Sequence, residues 1–352
     1  MPTLPPPVRL GLIGAGRIGT SHARVIAERV PGAVLAAVAD ARPGAAAALA
    51  EGYGASAYDD PQALIDDPGV DAVVVTASST AHTDLIVAAA GAGKPVFCEK
   101  PASMTLAEMD RALAAIDAAG VTLQVGFNRR FDAGFAAAHA AVAAGAVGQV
   151  QLMRSLTRDP GLANPAAVPP WTVFTQTLIH DFDTLLWLNP GASPVEVYAT
   201  ADALVAPAYR DAGLLDTAVV VITFDNGARA VAEASFSAAY GYDVRAEVFG
   251  SGGMVTVGDQ ARSSLRTYGA AGVASETVRG DVELMIDAYT GEFVELVASV
   301  REGRQPSVTG HDARRALAVA LACVESVRAH APVAVTEAGL PGAVPVAGAV
   351  GA

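Results

Sequence analysis

Three clusters of residues have the types and spacing that chemistry needs. The first is Gly14-Ala15-Gly16-Arg17-Ile18-Gly19, which follows the apolar run Val8-Arg9-Leu10-Gly11-Leu12-Ile13 and precedes a helical pattern through Ser21–Ala27. Strand, Gly-x-Gly-x-x-Gly and helix together form the context in which a backbone can hold a pyrophosphate. The first glycine permits the tight turn, the second lets the phosphates come close, and the third lets helix and strand pack. The unpaired N–H groups and dipole of the helix start then attract the anion. A second apolar run, Ala33–Ala39, ends at Asp40, about 20 residues past the glycines, as a dinucleotide fingerprint requires. A carboxylate there accepts hydrogen bonds from ribose hydroxyls and repels a 2′-phosphate, so NAD is expected in preference to NADP. Arg42 stands close enough to soften that preference. A plainer role for Asp40 is to cap the helix that follows.

The second cluster lies in Gln176–Leu188. Leu178, Ile179, Phe182, Leu185 and Leu186 recur at helical spacing and make a broad apolar face. Gln176, His180, Asp183 and Trp187 fall on a separate narrow stripe. An imidazole, a carboxamide and a carboxylate on a helix anchored by such a face can be held rigidly for chemistry. A half-buried, merely hydrogen-bonded histidine fits the same pattern. The third cluster is Glu99-Lys100-Pro101, at the end of the apolar run Pro95–Cys98. A lysine at a strand end beside a nicotinamide could hold a substrate hydroxyl and tune its acidity. An ordinary surface lysine is the alternative.

The elements that must position these groups follow from periodicity. Strand-like Val70–Thr76, Pro95–Cys98 and Thr122–Phe127 alternate with helical Ala81–Ala92 and Leu106–Ala119. Such alternation means parallel βαβ units and a doubly wound sheet, with ligands at the carboxyl ends of its strands. Thr76, Ser78, His82, Glu99 and Lys100 fall at those ends and join Gly14, Gly16, Arg17, Ile18, Gly19 and Asp40 as candidate cofactor contacts. Beyond about residue 130 the pattern changes. A long Pro-rich loop (159–170) precedes the Gln176 helix, and period-two runs follow at Val195–Ala201, Ala218–Phe224, Ala230–Ser237, Val244–Phe249, Gly253–Val257 and Ser264–Tyr268. Asp225-Asn226-Gly227 marks a hairpin between two of them. Helices over Val282–Arg301 and Asp312–His330 close this half. The expected fold class is therefore α/β: an N-terminal Rossmann doubly wound parallel sheet (1–128), a C-terminal α+β domain with a large, mainly antiparallel open sheet (129–335), and a loosely held tail (336–352).

Composition sets outer limits. At 352 residues the chain is too long for one ordinary core. It has no apolar run of the roughly 18 residues a membrane span needs. Its opening, Met1–Pro7, lacks a signal-peptide pattern, so a cytoplasmic location is expected. The net charge of −13 argues against nucleic acid and anionic membranes as partners. Cys98 and Cys323 read as buried small hydrophobes, and no His or Cys spacing suggests a metal site.

Taken together, Gly14-x-Gly16-x-x-Gly19-x-x-His22, Glu99-Lys100-Pro101, Gly126-Phe127-Asn128-Arg129-Arg130-Phe131-Asp132 and His180-Asp181-Phe182-Asp183 occur in an order and spacing that resembles the glucose–fructose oxidoreductase, inositol dehydrogenase and rhizopine-catabolism (Gfo/Idh/MocA) family. Thr157-Arg158-Asp159-Pro160 and Tyr240-Gly241-Tyr242-Asp243 resemble its inositol 2-dehydrogenase branch. The resemblance, which covers residues 8–335, implies NAD(P)-dependent oxidation of a ring hydroxyl on a cyclic polyol or sugar. It implies Lys100 touching both nicotinamide ribose and substrate, and His180 as acid/base. Arg129, Asp159, Gln176 and Tyr242 would line the substrate pocket. It implies a cis Lys100–Pro101 bond, and a homo-oligomer, tetramer or dimer, formed through the open sheet. One position departs from the family, which usually carries Asp four residues before the histidine; here it is Gln176. Glutamine keeps hydrogen bonds and adds no charge. Two consequences compete: an altered substrate, such as a bulkier sugar or glycoside, or an NAD-binding regulator without turnover.

Overall fold

The structure, a computed structural model, describes residues 5–161, 164–258 and 261–336. The N-terminal half alternates strictly: β1 (Val8–Ile13), α1 (Arg17–Arg29), β2 (Ala33–Ala39), α2 (Ala45–Glu51), β3 (Ser56–Tyr58), α3 (Pro61–Asp66), β4 (Ala72–Val75), α4 (His82–Gly91), β5 (Val96–Cys98), α5 (Leu106–Ala119) and β6 (Leu123–Val125). All five strand pairings are parallel, in the order β3-β2-β1-β4-β5-β6. The strand order reverses between β1 and β4, and a crevice opens there at the strand ends. β4, β5 and β6 are buried along their whole length, as expected for a parallel sheet covered on both faces. The sequence reading passed over residues 45–66. That stretch is short, Ala-rich and bounded by Gly44 and Asp60, which caps α3 by accepting from the Gln62 N–H, so it left no long periodic signal.

The second half comprises α6 (Ala133–Ala143), β7 (Val150–Arg158), α7 (Leu178–Trp187), β8 (Pro194–Asp202), β9 (Thr217–Phe224), β10 (Arg229–Ser235), β11 (Asp243–Gly250), β12 (Gly253–Val257), β13 (Thr267–Gly269), β14 (Gly272–Ala274), α8 (Asp281–Leu284), α9 (Ile286–Glu302), α10 (Gly310–Ala329) and β15 (Val333–Ala334). Seven strands form one sheet, β12-β11-β7-β10-β9-β8-β15, antiparallel except at β7–β10. Asp225-Asn226-Gly227 makes the expected hairpin, with Gly227 at φ 87°. Residues 264–268, expected as a sheet strand, instead lead into β13, which pairs only with β14 in a separate two-stranded ribbon. α9 and α10 belong to neither half alone. Gln124 on β6 donates to the Glu292 carbonyl at 2.8 Å, and an isolated bridge joins Gln124 to Thr309 at the start of α10. From residue 337 onward, the expected tail lies outside the described residues.

One helix was expected over Gln176–Leu188. The structure divides it: Val173–Thr177 is a wider π-type turn, and the α-helical register of α7 begins at Leu178. Val173, Thr175 and Thr177 are β-branched, and their restricted rotamers disfavour a regular helix start. α7 is then fixed by charge. Asp181 and Asp183, both fully buried, meet consecutive arginines at the end of the Rossmann half. Arg129 pairs with Asp181 at 2.7 Å and Arg130 with Asp183 at 2.6 Å. Asp181 also accepts from Ser155 and Thr157 of β7, each at 2.6 Å, and Arg130 reaches Asp312 of α10 at 3.0 Å. Removing one partner strands the other charge in the interior. Asp181→Ala is therefore expected to lower unfolding free energy by about 3–5 kcal/mol, measured by denaturant titration. A loss below 1 kcal/mol would show that this pair does not hold the helix.

Candidate active site

The glycine loop is shaped by contact on two sides and left open on the third. Gly14 sits at φ 108°, and a Cβ there would lie 2.6 Å from the Ala77 nitrogen. A Cβ on Gly19 would lie 1.8 Å from the Gly14 carbonyl oxygen, whereas one on Gly16 would meet nothing within 4 Å. The outer glycines thus seat the loop against β4, and Gly16 presents bare backbone at the start of α1. Thr76 hydroxyl donates to the carbonyls of Ile13 and Gly14 at 3.0 and 2.8 Å, so it braces the loop. Asp40, at the end of β2, accepts from the Ala15 N–H at 2.7 Å and from the Arg42 guanidinium at 2.9 and 3.0 Å. The Arg42 hydrogen bond, outweighing burial, draws its carboxyl down to about 2. A cleft of about 570 Å³ runs between Gly14, Gly16, Asp40, Arg42 and Ser78. Amides at a helix start and an ionised acceptor at the next strand end suit the pyrophosphate and ribose of a dinucleotide.

Arg17, Ile18, Ala77 and Ser78 are shared between that cleft and a second cavity, of about 450 Å³. Lys100 stands in the second cavity after a cis Lys100–Pro101 bond. Its ammonium donates to the main-chain carbonyl of Gln176 at 3.1 Å. Burial lowers its pKa, while Glu99, Asp281 and Asp159 oppose that shift. Glu99 itself is turned inward: one carboxylate oxygen meets His22 Nε2 at 2.6 Å, and the other accepts from the Lys100 N–H at 3.1 Å. Both ring nitrogens of His82 are taken by main-chain carbonyls, Pro101 at 2.8 Å and Ala77 at 3.0 Å. Glu99 and His82 thus shape the wall that carries Lys100.

His180 enters the same cavity from α7. Its Nδ1 is buried without a hydrogen-bond partner among the described residues, which leaves Nε2 as the ring nitrogen able to face the cavity. Its ring meets Phe127 edge-on, with centroids 6.0 Å apart. Burial first, then the charges of Lys100 and Arg129, pushes its pKa well below the usual histidine value, so the imidazole is neutral at pH 7. Gln176, Asp159 and Tyr242 line the cavity as well. Asp159 is raised to about 6 by burial and by Asp281.

One expected group is placed differently, and another carries more partners than expected. Asp183, on the same sequence stripe as His180, turns to Arg130 and away from the cavity; Trp187 stacks on His139 with centroids 4.2 Å apart. Arg129 reaches the cavity wall, yet it is 3% exposed and its guanidinium is committed to Asp181, Ser155 and Thr157. The sequence reading missed Asp281, which lines the cavity and pairs with Arg17 at 3.0 Å. It stands at the head of a short, irregular helix, where no spacing distinguishes it from a capping acid. Tyr289, Met285 and Phe236 complete the wall and were invisible for the same reason, being apolar side chains in ordinary patterns.

Comparison with known proteins agrees with this construction. Residues 8–127 match the oxidoreductase family with an NAD-binding Rossmann fold (Gfo/Idh/MocA), and residues 135–256 match the Gfo/Idh/MocA C-terminal domain. A myo-inositol 2-dehydrogenase of Thermotoga maritima is 38% identical over 329 residues, which cover 91% of this chain and 96% of the relative. A crystal structure of a probable dehydrogenase from Thermotoga maritima superposes with a TM-score of 0.88 at 36% identity, covering 93% of this chain and 99% of that one. The myo-inositol dehydrogenase of Lactobacillus casei, solved with NAD(H) and myo-inositol, superposes at 0.87 with 26% identity, covering 96% and 99%. The chain belongs to the Gfo/Idh/MocA family of oxidoreductases, whose Rossmann half is an NAD-binding fold.

Proposed function

We propose that the chain oxidises a ring hydroxyl of a cyclic polyol of the inositol type, with NAD as oxidant. The observation that carries this reading is the convergence of Lys100 and His180 on one cavity that joins the dinucleotide cleft. The glycine loop would hold the pyrophosphate, with Asp40 on the ribose. NAD, when bound, supplies the hydride acceptor. Neutral His180 takes the hydroxyl proton at Nε2 as the carbinol C–H bond breaks and the C=O bond forms. The Lys100 ammonium donates to the same oxygen and stabilises its developing negative charge. Asp159 and Tyr242 bind the remaining hydroxyls, Asp159 being ionised above about pH 6. Gln176 contributes a neutral amide at the rim, a place where a bulkier sugar or glycoside would also make contact.

The direct test is a panel of inositols, aldoses and glycosides with NAD, read by absorbance of the reduced cofactor. Turnover is expected on a cyclic polyol, and its absence from the whole panel with NAD binding intact would sink the reading. His180→Asn is expected to cut kcat by about 10²–10⁴-fold with the Kd for NAD unchanged. A carboxylate near an imidazole favours the protonated ring and raises its pKa. Gln176→Asp should therefore move the acid limb of the kcat/KM profile to higher pH, and an unmoved limb would show that this position does not govern His180.

Cofactor choice has its own test. Removing the Asp40 carboxylate abolishes repulsion of a 2′-phosphate and releases Arg42, which now spends both guanidinium contacts on it. Asp40→Ala is expected to raise kcat/KM for NADP relative to NAD by about 10–100-fold, the worth of one or two charged hydrogen bonds. A wild-type preference for NADP would refute the role given to Asp40.

We also propose that the chain assembles with copies of itself through the open face of the seven-stranded sheet. Leu152, Tyr198, Val219, Val221, Phe249 and Met254 are exposed there, and Phe249 lies opposite both Leu152 and Met254 across the ladder. An apolar face of this extent marks an interaction surface. Light scattering at micromolar concentration should report a dimer or tetramer, and Phe249→Glu should shift the population to smaller species. A monomeric wild-type protein would exclude the assembly.

A further inference from the structure

Behind the cavity wall lies a buried cluster that the reaction as drawn does not use. His22 from α1, Glu99 from the end of β5 and Glu292 from α9 bring one nitrogen and two carboxyl oxygens within 4.8 Å of one another, all shut off from solvent. The first two are already paired, at 2.6 Å. Glu292 is not: neither of its side-chain oxygens has a hydrogen-bond partner among the described residues, and the same holds for His22 Nδ1 and Gln124 Oε1. The surroundings are aromatic. Phe97, Tyr289 and Phe293 each present a ring edge-on to His22, with centroids 5.0–5.9 Å away. The Gln124 amide holds the main-chain carbonyl of Glu292 at 2.8 Å, which fixes this turn of α9 and hence the side chain's position.

An ionised carboxylate needs a cation or several donors to remain in such a place. Glu292 is hydrogen-bonded to neither among the described residues; of the charges that act on it, the anion Glu99 outweighs the Lys100 ammonium. Two carboxyl groups at this range cannot both ionise. Glu99 is the one equipped to do so, since it has His22 and the Lys100 N–H. Burial, then Glu99, raises the Glu292 carboxyl well above its ordinary range, in the same sense as the geometry.

We propose that Glu292 is a positioning residue for the reaction: a neutral carboxylic acid whose O–H is directed to the His22–Glu99 pair, leaving Glu99 as the single buried anion beneath Lys100. The separation is one that a rotamer adjustment or one water spans. The consequence is electrostatic. Glu99, with Asp281 and Asp159, is set against the burial that lowers the lysine, and this balance fixes the acidity of the ammonium that faces the substrate. A second buried anion beside Glu99 would hold the proton on Lys100 more tightly. This rests on Lys100 acting as proposed above, and the test has a readout that needs no turnover.

The chain has only two lysines, Lys94 and Lys100, so NMR of protein labelled at the lysine side chain gives two signals to titrate. Lys94 serves as internal control, because its ammonium is held by the carbonyls of Asp67 and Val70. The Lys100 midpoint is expected to be the same in wild type and Glu292→Gln, which mimics the neutral acid, and shifted in the nearly isosteric Glu292→Met, which takes one donor from the His22–Glu99 pair. A midpoint lowered by Glu292→Gln would mean that an anion had been removed, and would overturn the proposal. So would an unmoved midpoint in Glu292→Met. Should Glu292→Met fold poorly, infrared difference spectra decide: a protonated-carboxyl band at pH 7 in wild type, lost in Glu292→Gln, is expected, and its absence refutes a neutral acid. A stoichiometric divalent cation in the purified protein would refute it too, by making the cluster a metal site. In turnover, Glu292→Met should lose about tenfold in kcat and Glu292→Gln should recover it, the cost of one disturbed buried hydrogen bond. If no polyol is turned over, the titration and infrared outcomes still stand, so failure of the parent reaction is distinguishable from failure of this inference.

Discussion

The two consecutive arginines at the end of the Rossmann half, and the two aspartates that receive them, constrain everything else at the site. Arg129 and Arg130 follow the last parallel strand; Asp181 and Asp183, two residues apart, point to opposite sides of α7. Each pair is buried, and each carries further partners: Ser155 and Thr157 from the sheet on one side, Asp312 from α10 on the other. A charge in the interior is tolerated only where its geometry is well satisfied. That requirement allows one placement of α7 against the junction of the two halves. His180, immediately before Asp181, is thereby delivered to the cavity wall opposite Lys100. The sequence Asn-Arg-Arg-Phe-Asp and the sequence His-Asp-Phe-Asp are two sides of one lock, and only the histidine of the second is left free to do chemistry.

Around Lys100 the same currency, buried charge, is balanced more finely. Burial disfavours the ammonium, while Glu99, Asp281 and Asp159 favour it. His180 experiences the result, since the Lys100 charge helps to keep its imidazole neutral. The lysine as hydrogen-bond donor and the histidine as acceptor are thus mutually enforcing assignments. A protonated histidine beside a protonated lysine would cost more than either alone. The Arg17–Asp281 ion pair ties the glycine loop to this balance, because the arginine that borders the cleft along that loop is also the partner of an acid in the Lys100 cavity.

How much of this was legible in the sequence depended on the kind of signal. Gly14, Gly16, Gly19 and Asp40 could be read directly, because a tight turn, an open backbone and a carboxylate at a strand end each demand a residue type. The alternating strands and helices were equally plain. The failures have physical causes. The Gln176–Leu188 run reads as one helix by apolar spacing, but β-branched residues open a wider turn before Leu178. Within α7 Asp183 does lie one turn from His180, but its carboxylate is drawn to Arg130 instead of the cavity. Arg129 lines the cavity as expected, but nothing in the sequence shows that four hydrogen bonds inside the protein also use its guanidinium. Asp281 and Glu292 lie far along the chain from the residues they face, with nothing local to mark them.

The geometry at Gln176 bears on why a glutamine can stand where the family resemblance leads one to expect an aspartate. Lys100 reaches residue 176 through its main-chain carbonyl, at 3.1 Å. Any side chain at this position preserves that bond, provided the turn from Val173 to Thr177 keeps its path. The position of the lysine is therefore independent of the missing carboxylate. Its charge balance is supported as well, by Glu99, Asp281 and Asp159. What the amide alters is the rim of the cavity, where a neutral donor and acceptor replaces an anion that could only accept. A substrate group placed there can accept a hydrogen bond from the protein as well as donate one. A ring oxygen or glycosidic oxygen, which can only accept, meets a partner at Gln176 that an ionised aspartate would deny it. The substitution leaves Lys100 and His180, the pair proposed to react, in place, and alters only the hydrogen bonding offered to a ring beside them.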